Sequence, residues 1–264
     1  MLAVFVDELG SSYIGYVEQT QKILLSLIMY EANDSIRNSV ASTLPGLIKC
    51  VKEAHPGSQD LIFSQGRIYL EKLFEAMKVE TETETLSFQI QAMKDIIDEI
   101  GPGLMTPTIL DTLTNHIFDM YAKSDERINE NNSVVKKGDQ EEVDEEEAQD
   151  DQELIKEENK NEYDLQLSIS ELIGIIFKTH KTGVANLLQK LFQTILPQAL
   201  QSQTKGKTKF ALFILDDMVE FLGPEVLGTY FNQIAEQIIG FCNNSDYGVR
   251  QAASYGVGML AQHG

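Results

Sequence analysis

The sequence predicts an all-α superhelical solenoid, in which pairs of helices stack one after another along the chain. Amphipathic helical patterns follow one another over most of the 264 residues. The second helix of each predicted pair begins near residue 35, 82, 161, 206 or 246, so the intervals are 47, 79, 45 and 40 residues. About 34 residues of the long interval belong to an acidic segment, and without them every interval is typical of two-helix repeats.

The most specific motif lies near residue 250. Val249 and Arg250 are followed at helical spacing by the small residues Ala252 and Ala253, a pattern typical of the second helix of a HEAT repeat. A weaker copy occurs at Asp34–Arg37. The sequence therefore predicts a right-handed HEAT-repeat solenoid of about five repeats with one leading helix.

In the first half of the chain, turn and capping residues separate the predicted helices. Asn33 and Asp34 can cap a helix, Pro56-Gly57 ends one, and Gly101-Pro102-Gly103 ends another. Between these breaks the apolar residues recur at helical spacing. The predicted helices cover residues 1–9, 13–31, 35–54, 58–79, 82–100 and 106–124.

Helical periodicity resumes in the second half with Leu165, Ile169 and Ile173. Pro197 is expected to end or kink its helix, and Gly223-Pro224 is a stop-then-start signal. The predicted helices cover residues 161–179, 183–202, 206–222, 224–243 and 246–262.

An acidic segment at residues 125–160 interrupts the repeats. Between residues 139 and 158, twelve of twenty residues are acidic and Lys156 alone is basic. Such a block buries little apolar area, so we expect a flexible, solvated insertion between repeats at 1–124 and repeats at 161–264. Its candidate binding residues are Asp144, Glu145, Glu146, Glu147, Asp150 and Asp151. The segment is either a solubilising spacer or a mobile polyanion that contacts basic partners.

The net charge of −20 disfavours direct binding to nucleic acid or to anionic membranes, because phosphates require basic residues. The same charge favours basic partners. No apolar run is long enough to predict membrane insertion. Nucleotide-binding, metalloprotease and Cys-x-x-Cys motifs are absent from the sequence, and its four histidines lack ligand spacing. We therefore expect a binding protein without enzymatic activity, cofactor or metal.

Several motifs together resemble the beta-karyopherins, the importin-beta superfamily, and within it the importin-five branch. The matching stretches are Met1–Leu9, Asp34–Arg37, the acidic segment before Ile175–Phe177, Phe213–Glu220 and Val249–Gln262. The family is far longer, so the chain resembles an internal piece. One departure is visible, since the family has tryptophans in and before the Phe213 helix, where this chain has Lys205-Gly206-Lys207-Thr208-Lys209.

The resemblance implies a nuclear import receptor that shuttles between cytoplasm and nucleus. Such a receptor binds basic nuclear-localisation signals of cargo. It passes the phenylalanine-glycine (FG) nucleoporins of the pore by binding them in grooves between first helices. Ran-GTP then releases the cargo. In this family second helices line the concave surface, so carboxylates on them would form a track for basic cargo. These candidates are Asp95, Asp98, Glu99, Glu171, Asp216, Asp217 and Glu220. The alternative interpretation of the same residues is a solvated helix face.

Two arginines are candidate ties between repeats. In HEAT stacks an arginine at the position of Arg37 or Arg250 commonly reaches an aspartate in the adjoining repeat, and Asp34 and Asp246 are candidate members of such a ladder. The alternative function is a static HEAT scaffold or adaptor, such as a phosphatase regulatory subunit. A static scaffold would need neither the polyanionic segment nor a response to Ran-GTP.

Overall fold

A computed structural model describes residues 1–138 and 145–264, and for residues 135–138, 145–151 and 182 it describes the backbone alone. Within these ranges every regular element is helical. The helices are α1 (Leu2–Leu9), α2 (Ile14–Leu27), α3 (Asp34–Ala54), α4 (Gln59–Val79), α5 (Thr83–Ile100), α6 (Pro107–Gly138), α7 (Glu145–His180), α8 (Ala185–Lys190), α9 (Leu196–Gln201), α10 (Lys205–Asp217), α11 (Gly223–Leu227), α12 (Tyr230–Phe241) and α13 (Tyr247–His263). Short 3₁₀ turns at Gly10–Tyr13 and Lys181–Gly183 lead into α2 and follow α7.

Two continuous helical stretches each contain a π-helical turn. Leu191–Ile195 joins α8 to α9, and Met218–Leu222 extends α10. Pro197 lies at the start of α9, where its missing N–H and its ring would disturb a regular α-helix. The wider π turn immediately before Pro197 accommodates the proline. The helical stretch therefore continues to Gln201 and does not end at Pro197.

The helices form two layers. The inner layer consists of α1, α3, α5, α7, α10 and α13, and each of these packs closely on the next. The outer helices α2, α4, α6, α8–α9 and α12 pack mainly on the inner helix of their own repeat. Because inner helices approach each other more closely than outer helices do, the stack curves and its concave wall is made of second helices. The described chain is thus a HEAT-repeat solenoid, as the spacing predicts.

One hydrophobic core runs through the whole stack, from Val6 on α1 to Ala253 on α13. The inner helices between α1 and α13 bury a broad face because each packs on two inner helices and on an outer helix. On α3, for example, Leu44, Leu47 and Ile48 are fully buried. Among residues 1–138 and 145–264, the helices lack the combination of length and apolar content needed to cross a membrane.

The acidic segment differs from its prediction. Helix α6 continues to Gly138 and α7 begins at Glu145, so residues 125–138 and 145–160 are helical, and the expectation of irregular structure is wrong for these residues. Their glutamate, glutamine, lysine and alanine residues favour a helix. Asn159 bonds both Asn131 and Asn132 at 3.2 Å, which links the two extensions side by side. Residues 139–144 lie outside the described ranges, and the division into two repeat blocks stays a prediction.

Arg37 ties two successive repeats together. Its guanidinium donates to both carboxylate oxygens of Glu80, at 2.7 and 2.9 Å, and to the carbonyl of Tyr30 at 2.9 Å. Glu80 follows α4 in the next repeat, and its side chain is 5 % exposed. A planar guanidinium fits this two-point contact. The candidate partner Asp34 instead accepts a bond from the backbone of Ser35 at 2.8 Å.

The tie predicted between Arg250 and a carboxylate is wrong for the described residues. Arg250 donates to the carbonyls of Asn244 and Ser245, both at 2.8 Å. Asp246 accepts from the backbone N–H of Val249 at 3.0 Å and pairs with Lys205 at 2.9 Å. The carboxylate is therefore already used as a helix cap and as a lysine partner. Arg37, in contrast, takes its carboxylate from the repeat that follows it.

The lysine-rich stretch at Lys205–Lys209 begins α10 and joins neighbouring repeats. Lys205 contacts Asp246 ahead of α13, and Lys207 pairs with Asp125 on α6. Lysine at a helix N-terminus is unfavourable for the helix dipole, and these ion pairs offset that cost. The stretch that departs from the family pattern therefore serves as a connection between repeats.

Candidate functional site on the concave wall

The carboxylates predicted as a cargo track lie on adjacent inner helices. Asp95, Asp98 and Glu99 belong to α5, Glu171 to α7, Asp216 and Asp217 to α10, and Glu220 to the π turn that extends α10. Because α5 packs on α7 and α7 packs on α10, the structure brings all of them to one wall. Their chemical surroundings on that wall differ.

Three of the carboxylates pair with lysines on the neighbouring inner helix. The pairs are Lys52–Glu99 at 2.8 Å, Lys94–Glu171 at 2.6 Å and Lys178–Asp98 at 2.6 Å. They connect α3 to α5 and α5 to α7, and all are partly exposed, so each contributes about 1 kcal/mol or less. Asp95 accepts a bond from Gln91 of its own helix at 2.8 Å. The lysine-paired carboxylates act as ties between repeats and are already neutralised.

Asp216 has different surroundings. It is 2 % exposed, and neither of its carboxyl oxygens has a hydrogen-bond partner among the described residues. Burial, followed by the charges of Asp217 and Glu220, raises the pKa of Asp216 to about 8. A carboxyl group in this position is more stable as the neutral acid, because ionisation without a partner in an apolar site is costly.

Asp217 and Glu220 complete the group. Burial, followed by the charges of Glu220 and Glu171, raises the pKa of Asp217 to about 7. Glu220 is partly exposed and accepts a bond from the hydroxyl of Tyr255 on α13 at 3.2 Å. We call Asp216, Asp217 and Glu220 the carboxyl cluster. Within the described parts of the chain, no lysine or arginine forms an ion pair with any of its members.

Two glycines on the flanking helices make room for the cluster. A Cβ atom on Gly256 of α13 would overlap the carboxyl of Asp216 and lie 2.8 Å from a methyl of Ile238. A Cβ atom on Gly174 of α7 would overlap the carboxyl of Asp217. The sequence pattern does not show that acidic side chains occupy the space left by these glycines.

A further buried carboxylate has a structural role that the sequence pattern does not predict. Glu162 on α7 is 4 % exposed and accepts two bonds from Arg127 on α6, at 2.6 and 2.9 Å. Thr83 donates to the same carboxylate at 2.9 Å. Arg127 falls inside the segment predicted as an insertion, so sequence patterning gives no reason to pair it with α7.

The acidic-loop candidates cannot be placed against the wall. Asp144 lies outside the described residues, and so do the side chains of Glu145, Glu146, Glu147, Asp150 and Asp151. Their contact with basic partners stays a prediction. Over the described residues, no group of three or more histidine, cysteine, aspartate or glutamate side chains is arranged to hold a metal ion.

Known proteins resemble this chain over its whole length. Residues 85–200 match the family model "Importin repeat 6". The chain is 25% identical to the probable importin-5 homolog of Dictyostelium discoideum and 22% identical to importin subunit beta-3 of Saccharomyces cerevisiae, with all of this chain aligned in both cases. These matches support the resemblance to the importin-beta superfamily. The chain spans about a quarter of these relatives, 24% of the first and 23% of the second.

Solved structures agree with the fold. The karyopherin Kap121p bound to the SUMO protease Ulp1p matches 99% of this chain with a TM-score of 0.79 and 19% identity, over 23% of its own length. Kap121p bound to RanGTP and Kap121p bound to Nup53p each give a TM-score of 0.77 over 99% of this chain and 22% of theirs, at 18% and 19% identity. The predicted resemblance to this superfamily and the predicted HEAT-repeat solenoid are both confirmed.

The glycine contact can be tested by a matched pair of substitutions on α13. Gly256→Ala should lower the free energy of unfolding by about 1–3 kcal/mol, because the added methyl group overlaps Asp216 and crowds Ile238. Gly258→Ala is the control, since no atom lies within 4 Å of its Cβ position, and it should raise stability by up to about 1 kcal/mol through helix propensity. Urea unfolding gives both values. A loss of stability of the same size in both variants would contradict the described packing.

The buried carboxyls also predict a pH dependence of stability. In the folded chain the pKa values of Asp216 and Asp217 are about 8 and about 7, whereas an unfolded aspartate titrates near about 3.9. The folded state therefore binds more protons between these limits, and the free energy of unfolding falls as pH rises from about 5 to about 9. We expect a loss of about 1 kcal/mol or more.

Replacing both groups should remove that slope. The variant Asp216→Asn, Asp217→Asn should have a flatter profile in urea unfolding at a series of pH values. Asp60→Asn, Glu71→Gln, which changes two exposed carboxylates on α4, is the control and should keep the slope of the parent chain. Parallel profiles for the parent chain and the Asp216, Asp217 variant would show that these carboxyls titrate normally.

Proposed function

We propose that the chain is part of a nuclear import receptor whose concave wall binds basic nuclear-localisation segments of cargo proteins. The observation that carries this proposal is the carboxyl cluster. Asp98, Glu99 and Glu171 on the same wall already hold lysines, whereas Asp216, Asp217 and Glu220 have no basic partner among the described residues. A lysine or arginine side chain from outside the chain would supply the missing charge.

Electrostatics supports a basic partner. The chain carries a net charge of −20, which accelerates encounter with cations and repels anions. Carboxyls fixed on packed helices require a partner whose basic groups match their spacing, whereas a mobile acidic segment mainly raises the rate of encounter. The cluster would therefore provide selectivity, and the acidic segment around residues 139–158 would assist association.

Regulation by Ran-GTP is the second part of the proposal. The similar solenoid Kap121p is known in a complex with RanGTP, and the solenoid architecture supports the same linkage in this chain. Each repeat contacts only its neighbours, so small rotations add up along the stack. Two ligands displace one another if they favour different curvatures of the solenoid or if their binding surfaces on the concave wall overlap. Cargo would be bound in the cytoplasm and released to Ran-GTP in the nucleus.

Contacts with FG nucleoporins would use the outer layer. A groove between α9 and α12 is lined by Leu196, Leu200 and Ile234, and the rings of Phe192 and Tyr230 stack beside it at 4.4 Å. A second groove lies between α4 and α6. Apolar grooves between first helices suit phenylalanine side chains, and Kap121p is known in a complex with Nup53p.

Cargo binding can be measured with a synthetic oligolysine peptide by surface plasmon resonance. The variant Asp216→Asn, Asp217→Asn, Glu220→Gln should weaken binding about tenfold, or about 1.4 kcal/mol, mainly through faster dissociation. The control variant Asp60→Asn, Glu71→Gln, Glu236→Gln changes as many carboxylates, all exposed on outer helices. It should alter association slightly and leave dissociation unchanged. Binding of the parent chain should weaken as salt rises.

Equal effects of the two triple variants, or no effect of either, would show that cargo is held elsewhere. Addition of Ran loaded with GTP, but not with GDP, should displace the peptide. A static scaffold would bind or fail to bind the peptide regardless of the nucleotide on Ran.

A further inference from the structure

The carboxyl cluster combines close packing with a missing counter-ion. Three acidic groups lie within five residues, at 216, 217 and 220. Asp216 is almost completely buried and both of its oxygens lack partners within the described ranges. Asp216 lies against Gly256 on one side, and Asp217 lies against Gly174 on the other. The neighbouring helices therefore confine these carboxyls without supplying a positive charge.

The groups that face the cluster come from several elements. Helix α7 contributes Glu171, which is itself held by Lys94, and α13 contributes the hydroxyl of Tyr255. From α9 and α12, which also pack near α10, no charged group among the described residues acts on either aspartate. The surroundings are therefore acidic or neutral, which raises the pKa values of Asp216 and Asp217 and favours their protonated forms.

We propose that the carboxyl cluster binds one lysine or arginine side chain of a basic peptide in exchange for protons. The inference rests on the proposed function and specifies how the same site is regulated. Asp217 and Glu220, which are partly exposed, would contact the cation, and Asp216, the preceding residue, is buried. In the exchange a carboxyl O–H bond breaks, the proton passes to water, and the bound ammonium or guanidinium keeps its own protons.

The exchange follows from the difference between the empty and the occupied site. In the empty site, burial and the neighbouring acids keep Asp216 and Asp217 protonated to unusually high pH. A cation nearby favours the ionised form of both groups. Peptide affinity should therefore rise with pH between about 6 and about 8.5, by up to about tenfold per pH unit for each proton released. Lysine itself stays charged over this range.

Isothermal titration calorimetry of the 264-residue chain measures the released protons directly. The probe is the oligolysine peptide, titrated near pH 7 in two buffers that differ in ionisation enthalpy. We expect a net release of about half a proton or more per peptide for the parent chain. Asp217→Asn should reduce the release while retaining measurable binding. Asp98→Asn, which changes a lysine-paired carboxylate on the same wall, should leave the release unchanged.

The outcomes separate this inference from the proposed function. An apparent binding enthalpy that is identical in both buffers overturns the proton exchange but leaves the proposal of cargo binding intact. Absence of binding overturns both. A carbon-13 NMR titration of the side-chain carboxyl signals in the peptide-free chain is an independent check. The signals of Asp216 and Asp217 are assigned by their disappearance in the corresponding Asn variants. Titration midpoints above about pH 6 for Asp216 and Asp217 support the proton exchange, whereas midpoints near about pH 4 overturn it even if the peptide binds.

Discussion

The close packing of inner helices on one another is the constraint on which the rest of the structure depends. Helices α1, α3, α5, α7, α10 and α13 form an unbroken stack, and each of α3, α5, α7 and α10 must fit between two other inner helices. Small residues make that possible at the tightest points, such as Ala253 and Gly256 on α13 and Gly174 on α7. The curvature of the solenoid and the composition of its concave wall both follow from this packing.

The carboxylates on that wall fall into two groups, one paired with lysines and one without a basic partner among the described residues. Toward the middle of the chain, lysines on α3, α5 and α7 neutralise the carboxylates of the adjacent helix and help to join repeats. On α10 the same packing encloses Asp216 and Asp217 without a counter-ion. A buried, unpaired acid destabilises the fold, and proteins keep such groups where a ligand uses them. Under the proposed function, the carboxyl cluster is therefore where stability and binding conflict in this chain.

The sequence predicts the fold well because its strongest signals are local. The spacing of helix breaks and the small residues after Val249 and Arg250 identify the repeats without knowledge of any contact. Residues 125–138 and 145–160 show how composition can mislead. Their acidity suggests irregular structure, but it is compatible with helix formation, and these residues extend α6 and α7.

The site is only partly predictable for a physical reason. Sequence spacing places the seven candidate carboxylates on second helices, but whether each one has a lysine partner depends on the side chain one repeat away. The same limit applies to Arg250, whose environment is a pair of loop carbonyls, and to the contacts of Asp216 and Asp217 with glycines on other helices. Such contacts arise from the stacking geometry and have no sequence signature.

A crystal structure of the chain with a bound oligolysine peptide tests the central claim most directly. The claim is that packing leaves one unpaired acidic site on the concave wall and that a basic segment completes it. The account predicts a lysine ammonium within about 3.2 Å of a carboxyl oxygen of Asp217 or Glu220, between α7 and α13. A peptide bound along the outer helices, or along the wall without contacting the carboxyl cluster, would contradict it.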